Sequence, residues 1–430
     1  MARLGGSIGL LRDREFAALA GTAFARSQAY STIIIALALY ADAFGTTGFV
    51  EGLFGTGFAL VQLLVVLPLG RKIDTGNAKH YLLAGFLINL VVFAGFVFVQ
   101  NPVEIVFLRM VQGLGASLLW LTGSTIVGEI SPDGSRGQWL GAYNQVGALS
   151  SLAGDLLGGY LLFAYGFTLT YAALSAVTMG AFALVWVALR SNPGGRTDPE
   201  ESGGVETFRA LLARPMLRAL VTFRFTFSVG KMAVIIFLPI YARTQFGVSA
   251  LAIGWIMAGG KLTKALAQGY VGDLTDRIGR RHYFVVAGAG LYGLGTALIP
   301  LAGVLEGTID PFRLSLYGHT QTIGGGFVAL FGAFAILGLA DSIRLPASMS
   351  LFVTEGEAHD AVASSMSLRS ISWKVGQVAG PVFVGGVKEF VSPAAAFLAA
   401  AAFIAFATTV LAVTTVRAQR AGHVDPVPGD

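Results

Sequence analysis

Long apolar runs separated by short polar breaks dominate this chain from about residue 16 to residue 416. A helix needs about 20 apolar residues to cross ~30 Å of hydrocarbon. That rule predicts twelve spans, near 16–42, 49–70, 80–99, 103–128, 138–162, 167–189, 216–241, 249–271, 283–302, 322–345, 362–387 and 393–416. One extended polar segment, Arg190 to Pro215, holds Asn192-Pro193-Gly194-Gly195 and the acids Asp198, Glu200 and Glu201, and it divides the spans six and six. The predicted organisation is a cytoplasmic N-terminus (1–15), a first bundle (16–189), a central loop (190–215), a second bundle (216–416) and a tail (417–430).

Loop charge orients these spans. The side that includes the N-terminus carries 17 Lys and Arg, and the opposite side three, Arg243, Arg313 and Lys388. Basic loops stay inside, so both termini and the central loop are expected in the cytoplasm. Arg3, Arg12 and Arg14 precede the first run and no small-residue cleavage site closes a short one, which reads as a retained end and not a signal peptide.

Composition then narrows the class. The chain is 54% hydrophobic before its 57 glycines are counted and only 12% charged, with a mean hydropathy of +0.70. Soluble domains carry about 25% charge, so an ordinary soluble enzyme is excluded and lipid is the main solvent. The absence of cysteine removes disulfides, cysteine-ligated metals and a cysteine nucleophile. The net charge of +5 belongs to the membrane boundaries, which gives no case for a nucleic-acid partner. The histidines show no metal-ligand spacing, and no nucleophile, base and orienting group assemble into an enzyme site.

The halves repeat. Gly70 and Asp74 correspond to Gly272 and Asp276 at an offset of 202, and Glu129 and Gly154 to Glu355 and Gly380 at 226. The difference falls largely in the connection between spans nine and ten, roughly Gly303 to Gln321. An internal six-helix repeat is a transporter signature, because two similar bundles can rock around a central site.

After the eighth span the chain reads Gly272-Asp273-Leu274-Thr275-Asp276-Arg277-Ile278-Gly279-Arg280-Arg281. Plain headgroup anchoring accounts for the basic cluster, but the ten-residue pattern resembles the loop signature of the major facilitator superfamily. The first-half copy keeps Gly70 and Asp74, while Thr75-Gly76-Asn77-Ala78-Lys79 replaces the basic cluster. In the fourth span Arg109-Met110-Val111-Gln112-Gly113 resembles a second signature of that superfamily. In the fifth, Gly154-Asp155-Leu156-Leu157-Gly158-Gly159 is similar to its antiporter signature, with aspartate where proline is usual. The eleventh span keeps Gly376 and Gly380-Pro381.

The resemblance implies an all-α integral membrane protein of the cytoplasmic membrane, with twelve transmembrane helices in two six-helix bundles. It also implies a cytoplasmic gate latched by the loop signatures, close helix packing at the glycines, and a link between Arg109 and proton coupling. Asp155 lies about 25 Å from the cytoplasmic start of its helix and Arg109 about 10 Å below the outer end of the preceding one, at similar depth. A polar stripe of Asn144, Ser151 and Asp155 follows on the fifth span.

Nine Lys and Arg fall inside spans, against Asp155 and Asp341 well inside them. Charge within a membrane faces protein or water and marks function. Arg224, Ser228 and Lys231 share one face of their helix, as do Lys261, Lys264 and Gln268, Arg26 and Tyr30, and Ser370, Lys374 and Gln377. With Gln112 and Asn144, the residues Arg26, Tyr30, Arg224, Lys231, Lys261, Lys374 and Gln377 form the expected substrate cavity. Lys264, Arg344 and Arg369 lie near enough to the cytoplasmic boundary to snorkel or pair, and Asp341 to Arg344 is an i, i+3 pair.

The leading functional reading is a monomeric, proton-coupled exporter of a small solute, working by alternating access. It needs no bound cofactor: the proton gradient drives it, Asp155 carries the proton and Arg109 is its electrostatic partner. The second reading is an organic-anion uptake or exchange carrier, in which an anion neutralises deep cations without partners. The third is a non-transporting sensor on the same fold.

Overall fold

The computed structural model describes residues 9–132, 134–191, 205–316, 318–359 and 361–420. Its first half contains α1 (Arg14–Phe44), α2 (Gly48–Thr75), α3 (Ala78–Val97), α4 (Pro102–Ile130) and α5 (Arg136–Ala188). The short α6 (Val205–Ala213) leads into α7 (Pro215–Phe246), α8 (Ala250–Ile278), α9 (Arg281–Leu298) and α10 (Ala302–Glu306). Two strands, β1 (Phe312–Leu316) and β2 (His319–Ile323), precede α11 (Gly325–Glu357), α12 (Val362–Phe390) and α13 (Pro393–Arg420). In hydrocarbon each backbone polar group needs a partner within its own segment, which the helix supplies.

Every predicted span coincides with one of the long helices or with half of α5. That helix holds the fifth and sixth spans, broken at Gly166, whose φ of 70° and ψ of −168° are open essentially to glycine alone. Helix ends follow local chemistry. The Asp13 side chain accepts from the Phe16 N–H at 2.8 Å to start α1, and Asn101 accepts from Val103 and Glu104 ahead of Pro102 to start α4. By length and composition alone, eight helices among the described residues could cross a membrane. The long ones outside that set, α1, α8 and α12, carry the polar rows that include Arg26, Lys261 with Lys264, and Arg369 with Lys374.

The connection between spans nine and ten carries regular structure of its own: β1 and β2 pair antiparallel, from Phe312 opposite Ile323 to Leu316 opposite His319. Threonine, isoleucine and phenylalanine favour the extended backbone here.

The chain forms two compact units. The first comprises Met1–Thr46, Gly57–Glu200 and Pro239–Ala258, and the second Thr47–Thr56, Glu201–Leu238 and Gly259–Asp430. In the first, α1 packs along α5 and α3 along α4, around Phe16, Leu82, Phe86, Ile126, Trp139 and Val185. In the second, α9 packs on α11 and α13, with Phe227 edge-on to Tyr292. Large apolar side chains such as Phe98, Val103, Leu266 and Phe390 remain exposed, as on a surface that meets lipid.

Each unit thus includes a short segment from the other half of the sequence. In the second unit, carbons added at Gly48 and Gly52 of α2 would run into the carbonyl oxygens of Gly385 and Pro381 of α12. The missing side chains let the backbones touch. The Lys388 ammonium donates to Glu51 beside this contact, and both side chains are nearly buried. In the first unit, Arg243 pairs with Asp42 at 2.8 Å, and Gly254 of α8 lies against the backbone of Asp155.

Removing one charge of a buried pair strands the other, at a cost of about 3–5 kcal/mol. Glu51→Gln should therefore lower the melting temperature of the purified protein markedly, and Glu51→Gln with Lys388→Met should recover most of the loss. Scanning fluorimetry of both proteins, in one detergent, checks this.

Candidate functional site

The polar residues of the first unit gather on α1, α4 and α5. Arg109 is fully buried; its Nη1 donates to Gln112 Oε1 at 2.5 Å and its guanidinium lies 4.3 Å from the Phe58 ring and 5.9 Å from the Tyr30 ring. Aromatic faces stabilise a cation that has left water. Asp155 is also fully buried. One turn earlier, Ser151 shares a 2.7 Å hydrogen bond with Ser31 of α1. Asn144, on the same predicted stripe, is exposed. Arg26 reaches across to α5, near Gly147 and Tyr143.

The glycines beside Asp155 bring the backbones together. A carbon added at Gly154 would stand 2.5 Å from Gln28 O of α1, one at Gly158 would overlap the Thr32 side chain, and one at Gly159 would stand 2.8 Å from Ala250 O of α8. The Thr32 hydroxyl donates to Gly154 O at 3.1 Å across this contact. The second unit repeats the arrangement. Carbons added at Gly376 and Gly380 of α12 would run into Phe225 O and Val229 O of α7, and Pro381 follows in the same helix.

The second unit also concentrates positive charge. Lys231 of α7 donates to Asp341 of α11, whose other oxygen accepts from Arg344 Nη2 at 2.7 Å. This corrects the expectation that Lys231 lacks a counterion. Arg344 makes the expected i, i+3 pair with Asp341, and because it is fully buried the snorkelling alternative falls away. Its guanidinium lies 3.9 Å from the Phe227 ring, while Arg224 lies 4.1 Å from the Trp373 ring. Gln377 donates weakly to Met232 Sδ at 3.3 Å, and Lys261, Lys264 and Lys374 are half-buried.

At the cytoplasmic loop, α8 ends at Ile278, Gly279 takes a φ of 68°, and α9 begins at Arg281. Only glycine adopts that turn without strain. Asp273 and Arg277 form an exposed i, i+4 pair at 3.8 Å, Gly272 is open to added bulk, and Arg280 is exposed. In the first-half copy α2 runs on through Gly70 to Thr75, and Asn77 caps α3 by accepting from the Lys79 N–H at 3.1 Å. The side chains of Asp74 and Asp276 lie outside the described residues, as do Arg3 and the acids Asp198, Glu200 and Glu201.

One buried pair escaped the reading from sequence, in which Lys388 looked like one more basic residue at the outer end of a span; Arg344 was read with Asp341 but not as a fully buried charge. No spacing rule finds Glu51 for Lys388, since the partners lie 337 positions apart.

Known proteins now decide the family. A model of the Major Facilitator Superfamily matches residues 19–249 and again 223–429. The chain belongs to this superfamily. It is therefore a multi-pass plasma-membrane transporter and not an enzyme. Among curated proteins it is similar to the uncharacterized MFS-type transporter YuxJ of Bacillus subtilis, 26% identical over 385 residues, covering 86% of this chain and 91% of that one. It is also similar to the multidrug resistance protein MdtG of Yersinia enterocolitica, 24% identical over 386 residues, covering 87% and 86%. Among solved structures, the inward-facing, unoccupied form of a bacterial homologue of the human lysosomal transporter Spinster aligns over 99% of this chain and 100% of its own. The TM-score is 0.72 at 18% identity. The nucleoside transporter NupG aligns over 93% and 98%, with a TM-score of 0.69 at 12% identity.

Within the superfamily fold, the paired glycine contacts of α5 with α1 and of α12 with α7 make one packing device used once per unit. A methyl group has no room at Gly154 or Gly380 but has open space at Gly180. Gly154→Ala and Gly380→Ala should each lose about 1–3 kcal/mol through overpacking, while Gly180→Ala stays neutral or gains slightly. Melting temperatures of the three purified variants check the contrast.

Proposed function

We propose that the protein is a proton-coupled exporter of small solutes, with Asp155 as the proton carrier and the transmembrane proton gradient as the driving force. The observation that carries the reading is Asp155 itself, a fully buried carboxyl in mid-helix, set in the glycine contact where α5 meets α1 and α8. An ionised carboxylate is costly at membrane depth. Its protonation state therefore couples to which side of the membrane supplies it with water and protons. Arg109 adds a permanent charge on the neighbouring helix α4, held in place by Gln112, Tyr30 and Phe58. The similarity to a protein named for multidrug resistance supports the export direction.

In proteoliposomes, Asp155→Asn should abolish accumulation driven by an imposed pH gradient and leave passive exchange of the same solute. An Asp155→Asn protein that still responds fully to the gradient removes the coupling role.

A second reading, in which the exported solute is anionic, is favoured by the surplus of membrane cations over Asp155 and Asp341. On this reading Lys261→Ala should cut carboxyfluorescein flux about tenfold, and ethidium should not be carried by the unsubstituted protein. Unaltered carboxyfluorescein flux in that variant removes it.

A further inference from the structure

The buried cations of the second unit lie on three helices, and their surroundings interlock. Arg224 of α7 stands over Trp373 of α12, and Arg344 of α11 stands over Phe227 of α7. Trp373 lies one turn beyond Arg369 on α12, and Phe227 one turn beyond Arg224 on α7. Arg224 is within electrostatic range of both Arg369 and Arg344. Counted at ~1.5 Å per residue, the α-carbons of the three arginines lie about 10–20 Å from the cytoplasmic ends of their helices.

Charge does not balance here. Among the described residues Asp341 is the carboxylate of this group, and both its oxygens are taken, one by Lys231 and one by Arg344. Three arginines and a lysine against one aspartate leave a surplus of positive charge in a place largely closed to water. Hydrogen bonding does not balance either. Arg224 Nε and Nη1, Arg344 Nε and Nη1, and Arg369 Nε are all buried without an acceptor. Arg344 is 0% and Arg224 6% exposed. The aromatic rings occupy guanidinium faces, which leaves N–H edges for an acceptor. Such edges match the paired oxygens of a carboxylate or phosphate.

A structural role explains this poorly. Buried cations in excess of their counterions repel one another and leave donors unsatisfied, and packing alone is served better by apolar residues of similar volume. A ligand with two negative charges and several acceptor oxygens answers both deficits at once.

We propose that Arg224, Arg344 and Arg369 form a binding site for a doubly charged oxyanion, of the phosphate-monoester or dicarboxylate type, reached from the cytoplasmic side. Lys231 and Asp341 position Arg344 and do not contact the ligand. This inference rests on the anionic reading of the solute, and it is tested by binding, separately from the flux that tests that reading. The same oxyanion chemistry has two sources, a free solute or the headgroup of an acidic lipid.

The test uses the full chain in phosphatidylcholine nanodiscs, titrated with inorganic phosphate and with succinate against sodium chloride at equal ionic strength. The expected result is a saturable rise in melting temperature with at least one of the two anions. Arg224→Gln and Arg369→Gln should weaken that response at least tenfold. Their ligand-free melting temperatures should stay level or rise, because a repulsive charge has gone. Should either glutamine variant fail to fold, Arg369→Lys keeps the charge but loses the fork, and it should also bind about tenfold more weakly. Nanodiscs that contain phosphatidic acid separate the sources: a rise with that lipid, lost in the variants and without a response to the free anions, assigns the site to a headgroup. No saturable response to phosphate, succinate or phosphatidic acid overturns the proposal. So does a response that persists at full strength in both glutamine variants.

Discussion

A guanidinium carried into hydrocarbon has nowhere to go except protein, and that constraint arranges much of this molecule. Arg109 finds a side-chain amide and two rings; Arg344 finds a carboxylate and a ring; Arg224 finds a ring. In each case an aromatic face takes part, because lipid offers neither water nor counterion and a ring is the one apolar group that attracts a cation. Those contacts fix helix rotation. Turning α7 by one residue would withdraw Phe227 from Arg344 and Arg224 from Trp373 together.

The second constraint is distance. Helices that hold functional groups on facing surfaces have to come close, and between apolar helices in lipid the only large gain from closeness is van der Waals contact. Gly154, Gly158, Gly376 and Gly380 supply it by omission. The repeated contact of α5 on α1 and of α12 on α7 shows that the internal repeat seen in sequence is a repeat of packing as well as of signature. Asp155 sits inside one of these contacts, and the matching position of the second unit is Pro381, which cannot titrate.

Much of the fold was legible in the chain. Apolar run length placed all twelve spans, since hydrocarbon thickness sets a length that local sequence has to meet. The break at Gly166 fell between two predicted spans, and the loop glycine Gly279 lay inside a recognised motif. The β1–β2 hairpin was missed because run length says nothing about segments outside the bilayer. Within the candidate site, Arg109 and Asp155 were legible as charges at depth. Arg344 was legible as a partner for Asp341 but not as a fully buried charge, because its nearness to a span end suggested reach to water while its backbone packs closely on Gly288 of α9. The pairing of Lys231 with Asp341 joins residues 110 positions apart, and such long-range choices come from the fold and not from local pattern.

The short segments Thr47–Thr56 and Pro239–Ala258 belong to units built mainly from the opposite half of the sequence. During synthesis the first half emerges well before α12, so the outer turns of α2 spend that interval without Gly385, Pro381 and Lys388. Glu51 is then an acid at the membrane edge with its final partner still unmade. The first unit cannot complete its contact set until Pro239–Ala258 has been inserted, nor the second until the last helices have. Assembly in this transporter is accordingly a closing step that comes late, set by the order in which the ribosome delivers the helices and not by the strength of any one bundle.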